Sequence, residues 1–216
     1  NCDQDMIDVL ETIMGQEVAK LWHKSTDLQG VDFVVLPGGF SYGDYLRSGA
    51  IAGFSPIMEE VKKHDEKGGY VMGLCNGFQV LCETDLLEGT LLHNNKQKFI
   101  CKNIYLKRSN TTSAITKGLE DRAYKIPIAH GEGNFFAQED TIKNIQDNDQ
   151  ILFQYCNEEG AVLTEANPNG SLLNIAGIMN KKGNVFGMMP HPERAADLNL
   201  SNEDGKAFFD SILNYA

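Results

Sequence analysis

Residues 70–79 read YVMGLCNGFQ. An apolar run of strand length, residues 70–74, leads directly into Cys75, glycines stand at 73 and 77, and a helical pattern begins at Asn76 and extends to about residue 82. This is the G-x-S-x-G nucleophile elbow with sulfur in place of oxygen, in the strand-then-helix context that gives the motif meaning. A sharp strand-to-helix turn strains its middle residue and brings neighbouring backbone close, so Gly73 and Gly77 supply what the turn requires. The helix that follows aims its first N–H groups at the Cys75 side chain and favours thiolate over thiol.

Outward from this turn, helix and strand patterns alternate. Residues 3–14 carry Met6, Val9, Leu10 and Ile13 at helical spacing, with Gly15 as a stop. Residues 17–22 alternate like a strand, and 33–36 form a short apolar run halted by Pro37, Gly38 and Gly39. A helix is expected over 51–67, closed by Gly68 and Gly69. The alternation predicts an α/β fold: an open, mostly parallel sheet with helices on both faces and sites at the carboxyl ends of its strands. Beyond it, 99–106 and 122–128 look strand-like, 175–180 with 185–188 reads as a hairpin around Lys181, Lys182 and Gly183, and 203–215 makes a closing helix. An antiparallel extension is therefore expected, within one domain spanning residues 1–216.

The chain has 216 residues, 42% of them apolar, enough for one substantial core. Nineteen basic against thirty acidic residues leave a net charge of -11, which argues against nucleic acid and anionic membranes as partners. Five scattered cysteines form no CxxC pair and no zinc-type spacing, so reduced thiols and no metal site are expected. With no apolar run near twenty residues and no leader pattern, a cytoplasmic location is expected.

A cysteine of ordinary acidity is mostly thiol at neutral pH, and a helix terminus contributes only about 0.3–1 kcal/mol, up to about 2 when partly buried. An imidazolium partner is needed as well. Two His-x-Glu pairs compete, His130 with Glu132 in AHGEG and His191 with Glu193 in PHPER. Residues i and i+2 of an extended segment share a side, so either glutamate can hold one ring nitrogen while the other turns to sulfur. Pro190 and Pro192 stiffen the second segment, whereas Gly131 and Gly133 loosen the first, which favours His191 and Glu193 and leaves His130 to shape the site. Acyl transfer also needs two donors for the oxyanion. The backbone N–H of Asn76 is one; Gly39, in the glycine-rich loop after the preceding strand, is the choice for the other. That loop continues SYGDYLRSG but holds no phosphate-binding motif, so Asp44 and Arg47 are expected to buttress it or meet a partner protein.

PGGFSYGDYLRSGAIA, GLCNGFQVL, AHGEG, ANPNGS and MPHPER occur in this order along the chain. Together they resemble the class I, triad-type glutamine amidotransferases, and within them the glutaminase subunits of phosphoribosylformylglycinamidine synthase. The resemblance covers nearly the whole chain and implies a flavodoxin-like sheet. It implies Cys75 as nucleophile, His191 and Glu193 as its partners, Gly39 and Asn76 as oxyanion donors, and Phe40 and Gln79 as lining the glutamine pocket. It further implies that L-glutamine is hydrolysed to glutamate and ammonia. The ammonia would pass to a large synthetase subunit, with a small bridging subunit in the complex, for conversion of formylglycinamide ribonucleotide to its amidine. No cofactor is implied for this chain; ATP and magnesium are expected on the synthetase. The resemblance also implies a hydrophobic first strand ahead of Asn1, so a shortened sequence is expected. The rival readings are a subunit of another amidotransferase, a stand-alone cysteine hydrolase, and a non-catalytic interaction subunit with a vestigial triad.

Overall fold

A computed structural model describes residues 2–44 and 47–216, apart from the side chain of Asp44. Its centre is the expected turn. Strand β2 (Tyr70–Leu74) and helix α3 (Asn76–Glu83) flank Cys75 with no residue to spare. Strand β1 (Phe33–Leu36) pairs with β2 in parallel, and β2 pairs in parallel with β9 (Val185–Met188). With sheet on both sides, β2 buries Val71 and Leu74 completely, toward opposite faces, which is why its sequence is an almost unbroken apolar run.

The seven-stranded sheet runs β1, β2, β9, β8 (Ile175–Met179), β7 (Ile151–Cys156), β4 (Ile100–Arg108), β5 (Tyr124–His130). From β9 onward every pairing is antiparallel, including the β8–β9 hairpin. The α/β architecture with a parallel side and an antiparallel extension is thus present. Helices cover both faces. Helix α1 (Asp3–Asp8), continued by a π-type turn at Val9–Ile13, and α5 (Lys206–Tyr215) pack with Met72, Leu74, Ile126 and Met188 on one face. Helix α2 (Pro56–Glu66) and α3 pack with Val34, Val71 and Val185 on the other.

Three local expectations need correction. Residues 17–22 form no strand: the segment is mostly exposed and pairs with no strand among the described residues, so its alternation has no ladder to join. Helix α2 starts at Pro56 rather than Ile51, because Ser55 is extended (φ -66°, ψ 137°) and proline at the first helical position fixes the start. A 3₁₀ turn, Ala52–Phe54, precedes it. Elements β3 (Thr90–Leu92), β6 (Asn134–Phe136), α4 (Glu139–Asp147) and β7 were not anticipated; β3 and β6 form a separate two-stranded ribbon beside α3.

Candidate active site

The elbow has the strain its sequence suggested. Cys75 sits at φ 50°, ψ -106°, a sparsely populated region for a residue with a side chain. A methyl at Gly77 would come within 2.0 Å of the Leu36 carbonyl oxygen, and one at Gly73 within 2.6 Å of Gly77 backbone. Only glycine allows β1, β2 and the start of α3 to approach so closely. The Cys75 N–H donates to the Met188 carbonyl (2.8 Å), tying the turn to β9.

His191 arrives from the segment after β9. Its N–H donates to Pro127 O (2.9 Å), anchoring it to β5, and the short turn Pro192–Ala195 returns Glu193 to the same side. His191 Nδ1 lies 2.6 Å from Glu193 Oε1, with the two residues 1% and 3% exposed. Burial works against charge on the imidazole, but the Glu193 carboxylate, with Cys75 nearby, outweighs it and raises the pKa to about 10. His191 is therefore held as imidazolium, with its Nε2 buried and without a hydrogen-bond partner among the described residues. A methyl at Gly38 would stand 2.8 Å from His191 Cε1 and 3.6 Å from Cys75 Cβ, so Cys75, the imidazole and the glycine loop converge on one point.

The oxyanion candidates border that point. Gly39 has φ 152°, and Asn76 opens α3. Asn76 Oδ1 accepts from the Ser41 N–H (3.1 Å) and from its hydroxyl, while Asn76 Nδ2 donates to Gln79 Oε1 (2.8 Å). Gln79 Nε2 in turn donates to Glu132 O (2.7 Å). The Gln79 amide thus links the glycine loop to AHGEG, and both its polar atoms are engaged. Phe40 is 63% exposed at the loop's outer edge. The loop is further seated where Gly49 presses on α3, a methyl there meeting Val80 N at 2.6 Å, and where Arg47 bonds to Glu83 and to Thr90 Oγ1 (2.8 Å). Arg47 accordingly buttresses the loop; the Asp44 side chain lies outside what is described.

His130 does not pair with Glu132: it is buried and its Nδ1 lies 3.2 Å from Asn94 Oδ1, whereas Glu132 meets His93 (3.2 Å). Burial first, then the charge of His191, pushes His130 down to about 4, so it is neutral. Sequence reasoning missed Cys2 and Arg194. Arg194 Nη2 donates to Cys2 Sγ (2.9 Å) and Nε to Asp5 (2.9 Å), while the Cys2 N–H donates to Gly38 O (3.0 Å), so the N-terminal segment bridges the Pro192–Ala195 turn and the glycine loop. The only local signal was the cation directly after Glu193. No metal-binding cluster of His, Cys, Asp or Glu occurs among the described residues.

Comparison with known proteins adds lineage to this geometry. Residues 1–207 match the family model of the CobB/CobQ-like glutamine amidotransferase domain. The chain is 53% identical over 214 residues to phosphoribosylformylglycinamidine synthase subunit PurQ of Chlorobium chlorochromatii (99% of this chain, 92% of that one). It is 54% identical over 210 residues to the subunit of the same name from Synechocystis (97% and 94%). Among solved structures, PurLQS from Thermotoga maritima superposes with a TM-score of 0.87 at 42% identity, covering 100% of this chain and 93% of that one. A glutamine amidotransferase from the same organism, 15% identical with a TM-score of 0.53 over 97% and 77% of the two chains, shares the fold.

Proposed function

We infer the function from one premise: the chain belongs to the PurQ family of phosphoribosylformylglycinamidine synthase subunits. It is a glutamine amidohydrolase of purine biosynthesis, and its ammonia serves the conversion of formylglycinamide ribonucleotide to formylglycinamidine ribonucleotide.

The Cys75 thiolate attacks the carboxamide carbon of L-glutamine. The N–H groups of Gly39 and Asn76 hold the oxyanion, each such donor being worth about 2.7–4 kcal/mol to the transition state. His191 gives its proton to the departing nitrogen and ammonia leaves. Neutral His191 then takes a proton from water as it cleaves the glutamyl thioester, with Glu193 fixing the ring throughout. Phe40 borders the pocket, and Gln79 shapes it by joining Asn76 to Glu132. The observation that carries this reading is His191, held by Glu193 at 2.6 Å in a buried site and meeting Cys75 at Gly38, with its Nε2 left without a hydrogen-bond partner among the described residues.

The chain works in complex with a large synthetase subunit and a small bridging subunit, and ATP and magnesium are bound by the synthetase. Its charge of -11 accords with a protein partner rather than nucleic acid or an anionic membrane. A cytoplasmic setting suits five free thiols, and no helix among the described residues is long and apolar enough to cross a membrane. Measuring glutaminase activity with and without the synthetase tests the reading: turnover is expected to rise in the complex, and a glutamine-like electrophile is expected to label Cys75. An inert Cys75 in the assembled complex would instead mark a vestigial triad.

A further inference from the structure

Behind the nucleophile the fold buries a polar cluster that the steps above leave unused. Along β5, Tyr124, Ile126, Ile128 and His130 turn inward in alternation. Leu106 of β4 stands opposite both Tyr124 and Tyr155 of β7, so His130 and Tyr155 occupy the same inner side of the sheet. They are 3% and 0% exposed.

Asn94 sets the tautomer of His130. Its Nδ2 donates to the carbonyls of Lys98 (2.8 Å) and His130 (2.9 Å), and its Oδ1 accepts from the Gly133 N–H (3.1 Å). Oδ1 is therefore the acceptor facing His130, Nδ1 carries the ring hydrogen, and Nε2 presents a bare lone pair. That atom is buried without a hydrogen-bond partner among the described residues. Tyr155 is its complement. Its oxygen accepts from Asn169 Nδ2 (3.2 Å), and its own hydrogen has no acceptor among the described residues. Gly133 joins the two: its carbonyl takes a hydrogen bond from Asn169 (2.7 Å), and a methyl on it would stand 2.7 Å from His130 Nε2.

Both groups neighbour the chemistry. Cys75 Sγ lies 3.8 Å from the carbonyl oxygen of Ala129, the residue before His130. Tyr155 feels the charge of Cys75, and His130 that of His191. Burial depresses the histidine and raises the phenol, so both are uncharged around neutral pH. One neutral acceptor and one neutral donor match ammonia, which donates N–H and accepts on its lone pair; a carboxylate here would hold ammonium instead.

We propose that His130 Nε2 and the Tyr155 hydroxyl receive the ammonia released at Cys75 and hold it uncharged at the start of its passage to the synthetase. The proposal rests on the glutaminase reading. As the tetrahedral intermediate collapses, the C–N bond breaks and the His191 proton passes to nitrogen, leaving the glutamyl thioester, neutral His191 and NH₃. Ammonia then donates one N–H to His130 Nε2 and accepts the Tyr155 O–H, with no further proton transfer.

The test uses the assembled complex and counts glutamate formed per formylglycinamidine ribonucleotide formed. Tyr155→Phe removes a single oxygen, and His130→Asn keeps a donor for Asn94 while deleting the Nε2 position. Each variant is expected to raise the ratio several-fold, because ammonia escapes. A ratio equal to that of the wild type overturns the proposal, as does a raised KM for glutamine at an unchanged ratio, which would assign the pair to substrate binding. If His130→Asn does not fold, Tyr155→Phe decides alone. Failure of the wild-type complex to form glutamate would instead strike the glutaminase reading.

Discussion

Glu193 accepts from His191 in a site closed to water, and the acidity of that imidazole depends on it. Glu193→Gln keeps the shape and removes the charge, so His191 should fall from about 10 toward its ordinary value of about 6.5. Since the imidazolium disappears as pH rises through its pKa, the alkaline limb of the kcat/KM profile should move to lower pH, as a pH–rate series on the complex would register. The same shift has a stability consequence. A raised folded-state pKa stabilises fully below the unfolded value of about 6.5 and ceases to do so as pH rises through about 10. His130 acts in the opposite sense: its stabilisation is present above about 6.5 and is lost as pH falls toward 4. Denaturant titrations should accordingly show stability declining in both windows, and His130→Asn should flatten only the acid one. Gly38→Ala would push on the imidazole, 2.8 Å from the added methyl. A displacement near 1 Å costs on the order of 10²-fold, so kcat should fall at least about tenfold with the melting temperature little changed.

Local chemistry made some elements readable and left others obscure. Residues 70–83 were legible because both flanking patterns and the glycines at 73 and 77 point the same way, and β2 and α3 fall where expected. Residues 17–22 misled because alternation shows a capacity to pair, whereas a strand also needs a neighbour. Strand β7 was missed for the converse reason: its identity comes from β4 and β8, which flank it in the sheet but are distant in sequence. The His191–Glu193 hydrogen bond was legible through the stiffness of Pro190 and Pro192. The Asn94–His130 bond, which joins residues 36 apart, was not. ANPNGS acquires a physical role here, since Asn169 and Ser171 both donate to Gly133 O and Phe135 N–H donates to Ser171 Oγ, which pins AHGEG in place. Asn169→Ala would leave several buried groups unpaired at about 1–3 kcal/mol each. A loss of about 2–4 kcal/mol in urea unfolding is expected, accompanied by weakened glutaminase activity.

At the scale of the whole molecule, the parallel side of the sheet presents Cys75 at its carboxyl end, and the antiparallel extension carries β5 back to anchor His191 through Pro127. The two halves join through β9 and a shared core, and the site lies where they meet. On this account the chain is a source of ammonia for a second active site, and removing its nucleophile should separate the two activities. The most direct measurement is amidine formation by the complex containing Cys75→Ala, supplied with either glutamine or ammonium. The account predicts that glutamine-driven synthesis falls by about 10³-fold or more, in line with loss of a covalent nucleophile, while ammonium-driven synthesis continues. Glutamine-driven synthesis that persists in Cys75→Ala would contradict it.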